Sequence, residues 1–248
     1  MEPALELSDS LRARAHALVY GTGTPWVVPP ARDAATVVLL RDGDEGLEVF
    51  LMRRPMTMAF APGMYVFPGG AVDEADEAET LFVTGAFGSS LVAAAVRETY
   101  EECGVQLEAT SLVPWTHWVT PEIESRRFDT RFFAAKIPPG QRAQSLTDES
   151  NHSAWVTPVA GLTEHSRGRM PMLPPTSATL RDLVDFVRAD DALLAAARRE
   201  IRPLMPRPFA AGSREVVWRL CDASDGSVID PNHGEPSGSE VRGLGDTP

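Results

Sequence analysis

The chain has 248 residues, of which 43% are hydrophobic and 23% charged, values that are ordinary for a folded globular protein. Its formal net charge of −12 argues against a protein that grips nucleic acid by the phosphate backbone, and its two cysteines are too few for a disulfide framework, so we expect a cytoplasmic location. No apolar run approaches the roughly 18 residues of a transmembrane helix, and the acidic N-terminus does not resemble a secretory signal.

The first third of the chain predicts a helix, a hairpin and a long loop. Residues 8–20 have helical spacing, with Ser8 or Ser10 as the N-cap. Residues 35–54 predict a β-hairpin, because two aliphatic runs flank a turn rich in Gly and Asp. Residues 55–70 are rich in Pro and Gly and predict a shaped loop around a short apolar segment.

The clearest helix is predicted for "SSLVAAAVRETYEECG", residues 89–104. Ser89 or Ser90 is the expected N-cap and Gly104 the expected residue after the last turn. At about 100° per residue, four side chains share one stripe that can be buried: Val92, Val96, Thr99 and Cys103.

The remainder predicts strands, helices and a tail. Strands are expected in residues 126–137 and 152–159, and one or two helices in residues 178–202. The last residues are rich in Gly, Ser, Pro and Asp and are predicted to be disordered. We therefore divide the chain into an N-terminal extension, a folded domain that ends in helices, and the tail: residues 1–30, 31–223 and 224–248.

Three glutamates, Glu98, Glu101 and Glu102, crowd a second stripe of the predicted helix. Like charges at spacings of three and four residues repel each other. The stripe is therefore either a solvated acidic surface or a site for a hard cation, because Mg²⁺ and Mn²⁺ prefer carboxylate oxygens. The glycines of "FPGG", residues 67–70, would let the backbone approach a ligand closely.

The segment "RETYEECGV", Arg97 to Val105, resembles the second half of the Nudix box, G-x5-E-x7-R-E-U-x-E-E-x-G-U, with all five fixed identities in place. Gly70 and Arg97 are 27 positions apart, against 14 in the usual box, so 13 residues are inserted. Counted back from Arg97, the first glutamate of the box falls at Ser89 and is absent. Its replacement stays open among the acids of the insertion: Asp73, Glu74, Asp76, Glu77 and Glu79.

The preceding segment "GMYVFPGG" is similar to the G-x3-F-P-G-G element of coenzyme A diphosphatases. Arg54 stands where that element has its first arginine, whereas Ala59 stands where it has a second. The box with its insertion is similar to the peroxisomal coenzyme-A-hydrolysing Nudix branch of animals and to its bacterial relatives. The resemblance covers roughly residues 34–160.

The resemblance implies an α/β fold, an α/β/α sandwich with a central mixed sheet, for the Nudix domain of residues 31–223. It implies a Mg²⁺- or Mn²⁺-dependent hydrolase that cleaves the diphosphate of a nucleoside diphosphate linked to another group, with coenzyme A or acyl-coenzyme A preferred. ADP-ribose, NADH or a capped RNA end is the alternative substrate. A non-catalytic Nudix-like ligand-sensing module is the alternative class. The expected partner is a small nucleotide, not a membrane or a large nucleic acid, and a homodimer stays open.

The resemblance also implies roles for single residues. The metal ligands would be three glutamates and a backbone carbonyl: Glu98, Glu101, Glu102 and Gly69. Glu101 would act as ligand or base. Arg97, counted with Glu98 and Glu101 among the catalytic residues, would tie the loop to the helix. The substrate would meet Arg54, Gly70 and Arg127.

Further residues have two interpretations each. Arg126 and Arg131 would meet phosphate or lie exposed on a strand. Three tryptophans would stack on a base or lie in the core: Trp115, Trp118 and Trp155. Asp148 or Glu149 would add a catalytic acid. Residues 174–176, "PPT", would line the cleft or begin a helix.

Overall fold

The computed structural model describes residues 8–58, 61–78, 87–146, 152–212 and 215–229. The helices are α1 Asp9–Tyr20, α2 Glu74–Ala78, α3 Ser89–Cys103, α4 Pro158–Ser166, α5 Pro174–Leu183 and α6 Ala189–Ala196. The strands are β1 Ala31–Gly43, β2 Gly46–Arg53, β3 Tyr65–Val66, β4 Gly69–Ala71, β5 Val113–Val119, β6 Arg127–Lys136, β7 Ser153–Val156, β8 Pro203–Ala211 and β9 Glu215–Asp222. No helix within these ranges is long and apolar enough to cross a membrane.

The strands of the described residues form one mixed sheet in the order β3-β2-β1-β6-β5-β8-β9, with β4 paired to β1 and β7 to β2. The predicted hairpin is β1–β2, closed by the pairing of Gly43 with Gly46. The pairs β1–β6 and β5–β8 are parallel and the other pairs antiparallel. The central mixed sheet that the resemblance implied is confirmed.

Two hydrophobic cores lie on opposite faces of this sheet. Successive side chains of a strand point to opposite faces, and β1 supplies Val37 and Leu39 to one core and Val38 and Leu40 to the other. Helix α3 covers the first face, and helices α5 and α6 cover the second. The layers form the predicted α/β/α sandwich.

Several elements differ from their sequence prediction. Gly88, not Ser89 or Ser90, is the N-cap of α3, and no side chain caps this helix. Helix α5 begins at Pro174, because proline is tolerated in the first turn, and α6 ends at Ala196 instead of continuing to residue 202. Strands β3, β4, β5, β8 and β9 and helices α2 and α4 were not predicted. The three prolines of β8 hide its strand signal, and the strand is held by its long pairing with β9.

The N-terminal extension packs onto the domain. Ser8 caps α1, as predicted, and Gly21 ends it in the left-handed conformation. The hydroxyl of Tyr20 donates to the Glu215 carbonyl at 2.6 Å on β9. The Trp26 ring donates to the Glu122 carbonyl at 2.7 Å on the loop between β5 and β6. At the other end of the chain, residues 224–229 form a turn that returns to β9, and the rest of the predicted tail lies outside the described residues.

Candidate active site

Helix α3 is fixed by its buried stripe. Val92, Thr99 and Cys103 of the predicted stripe are buried, and Val96 packs against the same core. The hydroxyl of Thr99, which stands at an aliphatic position of the box, donates to a backbone carbonyl one turn earlier at 2.7 Å, so its polar atom is satisfied. The buried stripe thereby holds the stripe of glutamates at a fixed orientation.

The glycine turn lies directly against this face. Strand β4 pairs Gly69 with Thr36 of β1, and a Cβ on Gly69 would lie 2.4 Å from the Ala35 carbonyl oxygen, so no larger residue fits. The Gly69 N–H donates to Oε2 of Glu102 at 2.9 Å. A Cβ on Gly70 would lie 2.2 Å from Oε1 of Glu98. Because glycine has no side chain, the backbone of Gly69 and Gly70 can lie directly against the carboxylates of Glu98 and Glu102.

Glu98 and Glu102 lie one helical turn apart and are both half-buried. Burial raises the pKa of Glu102 to about 7, against the opposing effects of the Gly69 N–H and the charge of Arg54, and the charge of Glu98 raises it further. Burial likewise raises the pKa of Glu98, although hydrogen bonds from Arg97 oppose the shift. This acidic pocket, Glu98 and Glu102, therefore carries an unfavourable concentration of negative charge.

Arg97 lies at the centre of a second cluster. Its Nε and one terminal nitrogen donate to the two carboxylate oxygens of Asp76 at 3.0 and 2.8 Å, and the same terminal nitrogen donates to the Ala71 carbonyl at 3.1 Å. Its other terminal nitrogen donates to Glu98 at 2.9 Å and Glu101 at 3.0 Å. Arg97 therefore ties the glycine turn and the insertion to α3.

The sequence left open which acid of the insertion replaces the first glutamate of the box, and the structure points to Asp76. It is only 3% exposed, and its Oδ2 also accepts the Asp73 N–H at 2.8 Å. Burial alone would raise the pKa of Asp76, but the hydrogen bonds from Arg97 and from the Asp73 backbone bring it below its usual range. Counted forward from Gly70 with the five-residue gap of the box, the first acid falls at this position. The sequence therefore does contain a signal for Asp76, but only when the box is counted forward from Gly70; counted back from Arg97 it gives Ser89.

The other acids of the insertion do not bind Arg97 in this way. Asp73, Glu74 and Glu77 are exposed, and the nearest of them to Arg97, Asp73, lies 3.7 Å away. Glu79 lies outside the described residues, as do Asp148 and Glu149, the predicted source of a further acid.

The predicted metal ligands are only partly assembled. Glu101 is exposed and pairs with Arg97, and Gly69 contacts Glu102 through its N–H, while its carbonyl stays a predicted ligand. Within the described ranges no three His, Cys, Asp or Glu side chains are grouped as around a metal ion. Glu98 and Glu102 nevertheless fit a divalent cation, since Mg²⁺ is often held by one or two carboxylates plus substrate phosphates and water, and a cation would relieve their repulsion.

The predicted substrate arginines separate in the structure. Arg54 lies beside the acidic pocket: burial lowers the pKa of its guanidinium, and the charge of Glu102 opposes that shift. Arg127 is not brought to the pocket. Its guanidinium donates to the backbone carbonyls of Thr120 at 3.0 Å and Pro29 at 2.8 Å, so it fastens the N-terminal extension to the sheet.

The structure also places the other residues for which the sequence offered two interpretations. Arg126 is exposed, and Arg131 pairs with Asp33 and Asp129, each at 2.8 Å. Trp115 and Trp118 are buried in the core, whereas Trp155 is half-buried under the guanidinium of Arg41. Residues 174–176 begin α5.

Comparisons with known proteins agree with this geometry. The family model of the NUDIX domain matches residues 30–174. The chain is 24% identical over 237 residues to the putative nudix hydrolase 7 of Caenorhabditis elegans, across 81% of this chain and 76% of that protein. A stretch of 75 residues is 37% identical to the peroxisomal coenzyme A diphosphatase ndx-8 of the same organism, and it spans 30% of this chain and 27% of that protein.

A solved structure has the same architecture. The crystal structure of a NUDIX hydrolase from Alicyclobacillus acidocaldarius superposes with a TM-score of 0.61 at 27% identity, across 68% of this chain and 97% of that one. The box helix, the glycine turn, the family match over more than half of the chain and this superposition lead to one conclusion. The chain belongs to the Nudix hydrolase family, whose members act on pyrophosphate bonds.

Proposed function

We propose that this protein is a Mg²⁺- or Mn²⁺-dependent hydrolase that cleaves the diphosphate of a nucleotide derivative, with coenzyme A or an acyl-coenzyme A as the preferred substrate. One observation carries the proposal: two half-buried carboxylates with raised pKa values, Glu98 and Glu102, lie against a glycine turn on a fixed helix. Such a pair is unfavourable without a cation and suited to holding one.

Each residue of the site has a role in this proposal. Glu98 and Glu102 would hold the divalent ion, which would neutralise the diphosphate charge and make water a better nucleophile. Arg54 offers its guanidinium to the anionic substrate beside Glu102. Glu101, exposed to solvent on the same helix, remains the predicted further ligand or base.

Arg97 is a positioning residue in this proposal rather than a group that touches substrate. Its two terminal nitrogens and Nε are engaged by Asp76, Glu98, Glu101 and the Ala71 carbonyl. It therefore fixes Glu98 against the turn and Glu101 at the edge of the site. Asp76 fixes Arg97 in turn.

Coenzyme A is preferred on two grounds. The segment "GMYVFPGG" carries the element of coenzyme A diphosphatases, and the chain shares a 75-residue stretch with one such enzyme at 37% identity. Ala59, outside the described residues, removes one arginine of that element. Discrimination in favour of the 3′-phosphate of coenzyme A should therefore be weaker than a charge-assisted hydrogen bond of about 1.5–3 kcal/mol would give.

Side-by-side rates with Mg²⁺ and with Mn²⁺ test the proposal. The substrates are coenzyme A, dephospho-coenzyme A, ADP-ribose, NADH and a capped RNA. Coenzyme A should be cut to 4′-phosphopantetheine and 3′,5′-ADP, and faster than the others. Faster cleavage of ADP-ribose, NADH or capped RNA would disprove the coenzyme A preference and leave a general diphosphatase. Calorimetric binding without turnover of any substrate would indicate the sensing module instead. The cytoplasmic location and the homodimer remain predictions.

A further inference from the structure

Strand β9 forms one edge of the sheet. It comes last in the strand order, and the one named strand that it pairs with among the described residues is β8. The edge of a strand presents a row of N–H and C=O groups that can pair with a further strand. The strand at the other end of the order, β3, is two residues long, and a short strand is one way in which proteins protect an edge. β9 has eight residues and lacks this protection.

The C-terminal end of β9 shows which of its residues face the edge. Residues 227–229 return along this end, where they accept a hydrogen bond from the Asp222 N–H and donate one to the Leu220 carbonyl, both at 2.9 Å. The backbone groups of Leu220 and Asp222 therefore point away from β8. Because this direction alternates along a strand, the backbone groups of Val216 and Trp218 also point away from β8.

The open part of the edge is residues 215–219. It lies between the last pair of the β8–β9 hairpin, Ala211 with Glu215, and the returning residues 227–229. Its sequence, "EVVWR", contains no proline or glycine. Val217 is 37% exposed and Trp218 is 36% exposed. β-Branched and aromatic residues favour strand pairing, so this stretch is suited to a neighbour.

The open stretch is complementary to itself in charge. In an antiparallel pair of two copies, the numbers of directly opposed residues have a constant sum. If Val217 faces Val217 of the second copy, Glu215 faces Arg219 and Val216 faces Trp218. Pairs of opposite charge and pairs of an aromatic with a β-branched residue are both favourable in directly opposed positions.

The backbone hydrogen bonds fit the same register. Val216 and Trp218 both face outward, so each can exchange N–H and C=O bonds with the other residue of the second copy. A pair centred on Val216 or on Trp218 would also oppose outward residues. It would set Glu215 or Arg219 against Val217, however, and lose the ion pairs. One register therefore satisfies both the backbone and the charges.

We infer that two copies of this chain associate through residues 215–219 of β9, antiparallel and centred on Val217, so that the sheet continues from one copy into the other. This interface is small beside the roughly 1,200–2,000 Å² of stable complexes, so the dimer should dissociate on dilution. The inference does not depend on the proposed function. Strands β6, β5 and β8 lie between β9 and β1, which pairs with the glycine turn, so each copy keeps its own candidate site.

The test measures association of the full chain by sedimentation velocity at about 0.15 M salt, which screens the repulsion between copies of net charge −12. The wild type should form more dimer as its concentration rises. Glu215→Arg and Arg219→Glu each oppose like charges twice, so each should raise the dissociation constant at least about tenfold. Glu108→Arg and Arg198→Glu make the same charge changes at exposed residues outside β9 and should dimerise like the wild type.

A mixture of the two β9 variants tests the register. In a heterodimer of Glu215→Arg with Arg219→Glu, every reversed charge again faces an opposite charge. The mixture should therefore dimerise about as tightly as the wild type, although each variant alone does not.

Val216→Pro is a second test that leaves the charge unchanged. It removes an N–H that points away from β8, and proline is tolerated on an edge strand at such a position, so the chain should fold but lose the dimer. Melting temperatures check the fold of every variant.

The following outcomes would overturn the inference. A wild type that stays monomeric at every concentration would mean that the edge is covered in another way, by residues after Ile229 or by a different protein. A dimer that both charge reversals leave as tight as their controls would lie on another surface. A mixture that fails to dimerise would contradict the register. None of these measurements uses turnover, so a failure of the proposed function would leave the inference standing.

Discussion

Two charged clusters meet where Arg97 and Glu98 follow each other on α3, and their electrostatics are opposite. In the anchor cluster, Arg97 and Asp76, each charge meets its partner in a bidentate pair, the pKa of the acid is lowered, and that of the guanidinium is raised. In the acidic pocket, Glu98 and Glu102, burial and like charge raise both pKa values. The first arrangement stabilises the fold by itself. The second is unfavourable until a cation arrives, which is the mark of a functional site.

The largest expected effect comes from removing a charge of the acidic pocket. Glu102→Gln keeps the shape but loses a predicted metal ligand, so kcat at saturating Mg²⁺ should fall at least about 100-fold. Glu108→Gln, at an exposed glutamate just beyond the end of α3, is the control and should keep wild-type turnover. Wild-type turnover in Glu102→Gln would show that the ion is not held there.

Breaking the anchor cluster should cost stability as well as activity. Asp76→Asn removes the buried partner of Arg97 and should lower the free energy of unfolding by about 2–3 kcal/mol, since Arg97 keeps some access to water. Urea unfolding measures this, and Arg97→Ala should behave alike. Glu77→Gln, an exposed neighbour, should change stability by less than about 0.5 kcal/mol.

The conservative variant sharpens this test. Asp76→Glu keeps a carboxylate at the position where the Nudix box has glutamate. Its stability and its kcat should therefore lie between those of Asp76→Asn and those of the wild type. Another outcome for Arg97→Ala would give Arg97 a role in substrate binding instead of anchoring. Loss of activity in Arg97→Ala with unchanged stability and a much higher KM would indicate direct contact with substrate.

The two clusters should respond to pH in separate windows. Glu102 has a pKa of about 7 in the folded protein and about 4.5 in the unfolded chain, so the folded state holds more protons between these values. The stability of the metal-free protein should therefore fall as pH rises from about 4.5 to 7, by up to about 3 kcal/mol. Asp76 has a lowered pKa, so the stability it contributes is present above about 3.8 and lost as pH falls below it.

Urea unfolding in EDTA at pH 5, 6, 7 and 8 measures the upper window. Glu102→Gln should flatten the fall, and Mg²⁺ should restore stability at pH 8. An equal fall in wild type and Glu102→Gln would show that another group titrates.

The smallest effect concerns the close approach of the turn to the acidic pocket. Gly70→Ala places a Cβ 2.2 Å from Oε1 of Glu98, so the carboxylate must move. We expect kcat/KM to fall roughly tenfold with a loss of about 1 kcal/mol in stability. Gly88→Ala, where nothing lies within 4 Å of the added Cβ, is the control for activity only, because Gly88 is the N-cap of α3 and alanine is a poor N-cap. An equal loss of kcat/KM in both variants would contradict the assigned role of Gly70.

The sequence by itself determined the elements whose signal is local. The α3 stripe and the β1–β2 hairpin follow from spacing and residue type within short windows, and the box glutamates are neighbours on one helix. The family and the sandwich fold could be predicted for the same reason, because the resemblance to the Nudix box lies in short segments. The three glutamates were correctly placed off the buried stripe of α3, because helical geometry fixes the stripes from spacing alone.

Only the tertiary structure decided which distant residues meet. Counting back from Arg97 left five acids of the insertion open, and among those that the structure describes the contact with Arg97 singled out Asp76. Arg127 resembled a phosphate ligand until its guanidinium was found on backbone carbonyls of two other segments. Strand β8 contains three prolines and strand β9 many exposed side chains. The two strands are held by pairing with each other, and β8 also pairs with β5. In each case the free energy comes from contacts between residues far apart in the chain, which no local pattern records.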